Sequence, residues 1–107
     1  MTDRIPDGFV LARTTDAFDN HTVPAGLLKA HRVADSVWAR LVVHSGSVDF
    51  VFEDDPDAAA TVNAGETLVI PPGRLHHVEL DGPASFSIEF HRRPTDADVA
   101  LESTGLA

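Results

Sequence analysis

The longest strand-like runs in this chain, residues 37–44 and 84–91, span eight residues each, and both end at turn signals. Gly46, Pro56, Gly65, Pro71-Pro72-Gly73, Gly82-Pro83 and Pro94 cut the rest of that half into pieces too short to be stable isolated helices. Inside the pieces the period is two. Val48, Phe50 and Phe52 alternate with Ser47, Asp49 and Val51, and residues 84–91 alternate in the same way. A half-buried strand gives that pattern, because successive side chains point to opposite faces.

The same reading runs along the chain. A turn at Pro6-Asp7-Gly8 leads to a short strand at 9–12, and Phe18 is expected to anchor the following polar stretch to the core. Residues 27–33 read as a strand or one turn of helix, with a strand favoured, and 66–70 and 76–80 read as strands, with Asp81-Gly82-Pro83 as a hairpin turn to 84–91. Residues 58–62 are ambiguous, and the acidic run 53–57 reads as a solvated tip. Trp38 is expected in the core or a pocket wall. Eight or nine short strands without a strong helix predict an all-β sandwich or barrel. Closing the sheet would remove edges that otherwise invite aggregation.

With 107 residues the chain holds one core. Seventeen acidic against eight basic residues give a net charge of −9. That balance repels phosphate backbones and anionic lipid, so neither nucleic acid nor membrane is expected as a partner, and a small-molecule ligand is. There is no cysteine, which leaves His, Asp and Glu for any metal site. The start, MTDRIPDGF, lacks the charged and apolar regions of a signal peptide, so a cytoplasmic protein is expected.

The densest signal is Gly65-x5-Pro71-x-Gly73-x2-His76. Gly65 permits a positive φ entering the strand. Pro71 and Pro72 donate no ladder hydrogen bond and stop it. Gly73 allows a tight reversal, and His76 starts the return strand where it can aim into a barrel mouth. This spacing resembles the second motif of the cupin superfamily, whose final Asn is replaced here by Leu80. The first cupin motif would supply His-x-His, then Glu, then Gly. Here His31 is present, Val33 stands at the second His, and Ala39, seven before Gly46, stands at the Glu. A wider resemblance, to the small TehB/YeaR-like cupins, runs through residues 23–28, His31, Val37-Trp38, residues 41–43, Gly46, Ile70-Pro71-Pro72, His76 and residues 88–90. Members usually show Thr-Lys where Val33-Ala34 stand, and Gly where Ser36 stands. The family is linked by name to tellurite resistance.

The resemblance implies a single-domain cupin over residues 1–107, a double-stranded β-helix (jelly-roll) barrel. Residues 1–20 would be an N-terminal arm and 95–107 a tail or short helix. It also implies a homodimer paired through sheet edges, and a divalent metal ion (zinc, iron, nickel or manganese) held by His31 and His76. A third ligand is needed. Glu89 is the first candidate: a four-residue loop at 81–84 places it opposite His76, whereas a three-residue loop turns it outward. His77 and Glu79 are the other candidates, although they alternate away from His76 on a regular strand. His21, His44 and His91 read as surface or strand-end histidines. Arg40, Arg92 and Arg93 read as surface charge rather than anion clamps, and Arg40 could bind an oxyanion if it faces inward.

Two function classes follow. One is a metal-binding cupin that binds or transforms a small polar molecule or oxyanion. The other is a non-catalytic ligand-binding or sensing cupin without bound metal. An isomerase using a histidine base ranks lower because the chain has no Tyr to act as acid, and a Ser-His-Asp hydrolase is disfavoured by the absence of G-x-S-x-G.

Overall fold

The computed structural model describes residues 4–95, so the tail expected over 95–107 lies almost wholly outside the described residues. Eight strands form two antiparallel sheets. In chain order they are β1 (Val10–Thr14), β2 (Phe18–Asp19), β3 (Trp38–Ser45), β4 (Ser47–Phe52), β5 (Ala60–Asn63), β6 (Thr67–Ile70), β7 (His76–Glu79) and β8 (Ser85–Arg92). The first sheet has the order β1-β8-β3-β6, with β2 also on β8, and the second has the order β5-β4-β7. No helix among the described residues is long and apolar enough to cross a membrane.

From β3 onward every connection except β4 to β5 crosses from one sheet to the other. The crossing at Gly46 needs glycine on two counts. Its φ is +66°, and an added Cβ would lie 2.3 Å from the carbonyl oxygen of Pro83. The alternation read from the sequence fills the space between the sheets. Ala39, Leu41 and Val43 of β3, Val48 and Phe50 of β4, Val78 of β7, and Phe86 and Ile88 of β8 are all buried in one cluster. Phe18 joins it edge-on to Phe86, with ring centroids 5.8 Å apart, as an anchor should.

Three expectations are corrected. Residues 81–83 do not make a hairpin: β7 pairs with β4, and β8 pairs with β1, β2 and β3. A strand has only two edges, and both edges of β8 are taken within its own sheet. Residues 27–33 are not a strand. Ala25–Leu28 forms a turn of 3-10 helix after Pro24, and the chain then touches a sheet through one isolated bridge at His31. Trp38 is half-buried on the outer face, out of phase with Ala39, Leu41 and Val43. The ambiguous stretch near 58–62 resolves into a 3-10 turn, Pro56–Ala58, and β5.

Candidate functional site

Two segments distant in sequence are laced together at one end of the sandwich. His31 and His76 exchange both backbone bonds, N–H to O at 2.9 and 2.8 Å, and Gly73 N–H donates to Val33 O at 3.0 Å. Gly73 has φ +75°, the reversal its motif requires. On the other flank, Glu53 N–H donates to Leu75 O at 2.9 Å. The prolines and glycine of 71–73 therefore end β6 and return the chain so that His76 lands beside His31.

The side chains follow the backbone. The two imidazoles meet edge to face, with centroids 4.3 Å apart, and His76 stacks on Phe50 at 4.8 Å. His76 is 1% exposed, whereas His31 is half-buried. Each ring points Nδ1 at the carbonyl two residues earlier, His31 to Lys29 O at 2.8 Å and His76 to Arg74 O at 2.9 Å. A carbonyl only accepts, so each Nδ1 carries a proton, and in a neutral ring Nε2 is then left with a lone pair. Burial pushes the pKa of His76 down to about 4, and the neighbouring His31 pushes the same way. The ring is neutral at pH 7.

Both histidines line a pocket of about 150 Å³ whose other walls include Leu27, Phe50, Ile70, Val78, Ile88 and Phe90. Val33 and Ala39 line it as well. Those are the two positions where the first cupin motif would place His and Glu. Both positions hold an apolar side chain here.

Glu89 is not brought to the pair. It faces outward on β8, in the other sheet, with its carboxylate 3.5 Å from Arg40 and 3.3 Å from His91. Arg40 is likewise on the outer face. His77 and Glu79 lie on β7 but contact each other rather than the pocket. His77 bridges two carboxylates, Glu53 through Nδ1 and Glu79 through Nε2 at 2.8 Å. These carboxylates, Glu53 foremost, raise the pKa of His77. His44 bonds the buried Ser87 at 2.8 Å on the outer face of the first sheet. Among the described residues no three His, Asp or Glu side chains converge as a metal site.

A larger groove, about 650 Å³, lies across Arg32, Glu53, Asp54 and Arg74. Its charges largely satisfy one another: Arg74 bonds Asp54 at 2.8 and 3.1 Å and stacks on Phe52 at 3.7 Å. Sequence reasoning missed the apolar pocket walls contributed by Leu27 and Phe90. Its strand reading of 27–33 left Leu27 unplaced.

Residues 13–88 match the model of the TehB-like domain. The chain belongs to the TehB-like domain family. Uncharacterized protein YeaR of Escherichia coli K12 is 29% identical over 100 residues, covering 85% of this chain and 84% of that protein. The crystal structure of an E. coli K12 protein from a structural genomics consortium superposes with a TM-score of 0.81 at 28% identity, over 88% of this chain and all of that one. The structure of TehB from Haemophilus influenzae gives a TM-score of 0.74 at 16% identity, over 81% of this chain and 32% of that one. This TehB-like domain therefore corresponds to about a third of that longer protein, and the likeness is one of fold.

Proposed function

We propose that this TehB-like domain is a binding module for a small, largely apolar molecule that donates hydrogen bonds to Nε2 of His31 and His76. The observation that carries the reading is the substitution of Val33 and Ala39 into the pocket wall, where a metal-binding cupin would have ligands. An ordered first shell is lost and an apolar surface gained. What remains polar is a pair of imidazoles, each with Nδ1–H held by a backbone carbonyl, and the buried ring of His76 is neutral and can accept through Nε2. A pocket of about 150 Å³ has room for one six-membered ring.

A second reading has its own support. A ligating histidine usually donates its other ring N–H to a carbonyl, as both rings do here. A divalent ion on the two Nε2 atoms would be completed by water or by the ligand itself. The donor set fits only as a two-point anchor, fewer than the three or four protein ligands of ordinary zinc sites.

Titration with para-cresol and toluene, followed by amide NMR, separates the readings. Para-cresol is expected to shift Val33, Phe50 and Val78, and to bind more tightly than toluene. His76→Phe, which keeps the shape of the ring, should remove that preference. Equal binding of both compounds, or shifts elsewhere on the surface, would overturn the reading. One zinc ion per chain by elemental analysis, lost in both His31→Ala and His76→Ala, would favour the second reading instead.

A further inference from the structure

Next to the pocket, and sharing Arg32, Val33 and Phe90 with it, is an open groove of about 350 Å³. Three of the chain's eight basic residues, Arg13, Arg32 and Arg92, line it together with His91, and none of the described residues lining it is acidic. On a chain of net charge −9 that is a local reversal of sign. Arg13 is held over the Phe90 ring, 4.9 Å from its centroid, which stations a cation at the edge of the pocket wall. Neither Arg13 nor Arg32 has a carboxylate partner among the described residues, unlike Arg40 and Arg74. Arg92 donates to Arg93 O at 3.0 Å, and Glu89, on the outer face of the sheet, is bound to Arg40 and His91.

We propose that this groove takes the anionic group of the ligand whose apolar body occupies the pocket, so that the ligand class is a small aromatic or branched carboxylate. The proposal rests on the pocket reading above and adds the charge. Arg32 stands where the two cavities meet and would contact both parts of such a molecule. A guanidinium offers paired donors that match the two oxygens of a carboxylate. The guanidinium groups of Arg13 and Arg32, in a field that is otherwise negative, give an anion a favourable docking place.

The test uses para-hydroxyphenylacetate and its neutral alcohol counterpart, tyrosol, on the full chain by isothermal titration and amide NMR. The two share the ring and the phenol and differ in the anionic group. The carboxylate is expected to bind at least about tenfold more tightly than the alcohol, and each of Arg13→Gln and Arg32→Gln to reduce that advantage by about tenfold. Tyrosol, which lacks the anion, should lose far less affinity than the carboxylate does in either variant, and an amide spectrum otherwise like the parent's serves as the control for intact folding. Added salt should weaken the carboxylate alone. Equal affinity for the two compounds, with no effect of either arginine, overturns the anion site and leaves the pocket standing. Binding of neither compound overturns the anion site and the pocket reading together.

Discussion

His31 and His76 are the two halves of one antiparallel bridge, and each repeats the same local device, a ring Nδ1–H donated to the carbonyl two residues before it. The repeat fixes both tautomers, but the rings differ in burial. His76 lies against Phe50 and is fully enclosed, while His31 is half-buried. Removing them should therefore cost different amounts. His76→Ala leaves a cavity and should destabilise the fold by about 2–4 kcal/mol, whereas His31→Ala should cost about 1 kcal/mol. His76→Phe, which fills the space, should stay within about 1.5 kcal/mol of the parent. Urea denaturation at pH 7 measures all three, and equal losses for the two alanine variants would contradict the burial difference.

The two adjacent histidines on β7 should also give opposite dependences on pH. His76 is held down to about 4 by burial, so the folded state prefers its neutral ring. Its contribution is complete above the ordinary histidine value of 6.5 and is lost as the pH falls toward 4, by up to about 3 kcal/mol. His77 is raised by Glu53 and Glu79, so its contribution is complete below the ordinary value and is lost as the pH rises through the raised one. The urea midpoint of His76→Phe should fall less steeply than that of the parent below pH 6.5. That of His77→Gln should lose the alkaline decline. An unchanged acid slope in His76→Phe would show that its ring does not carry the effect.

The strands could be read from the sequence because burial on one face writes itself as alternation, as in Val48-x-Phe50 and Phe86-x-Ile88. The alternation does not say which edge a strand will pair with. Asp81-Gly82-Pro83 signals a reversal, but the same residues serve a hairpin or a crossing between sheets, and β8 was already claimed on both edges. The placement of Glu89 failed with that hairpin. Trp38 was misplaced because its size argued for burial while its phase, one residue from Ala39, argued against it. His31 and His76 were legible through a spacing that turn chemistry explains. The grouping of Arg13 and Arg32 with Arg92 was not, since no local rule links residues that only the fold brings to one groove.

Ser36 is a non-glycine residue in the left-handed region, with φ +71°. A side chain there costs about 1–2 kcal/mol, and glycine gives back part of that through the greater freedom of its unfolded chain. Ser36→Gly should therefore stabilise the fold by about 0.5–1 kcal/mol. The thermal midpoint would rise by a few degrees, with ligand binding unaffected because Ser36 does not line the pocket. A lower midpoint would mean that Ser36 supplies an interaction worth more than the strain it bears.

The apolar replacements in the pocket wall lead to a prediction about gain rather than loss. Val33 is 8% exposed and Ala39 is fully buried, and both line the cavity that contains His31 and His76. If those two positions converge on the Nε2 atoms, Val33→His with Ala39→Glu should complete a set of three imidazoles and one carboxylate. Without metal the double variant should be less stable than the parent by a few kcal/mol, because a carboxylate then sits in an apolar wall without a partner. Zinc at about a hundredfold excess over its dissociation constant should restore about 2.7 kcal/mol, seen as a metal-dependent rise in thermal midpoint. The parent, with two imidazoles only, should show a much smaller rise, and adding His31→Ala to the double variant should abolish it. A double variant that folds but does not respond to zinc would show that residues 33 and 39 face the cavity without meeting at one point.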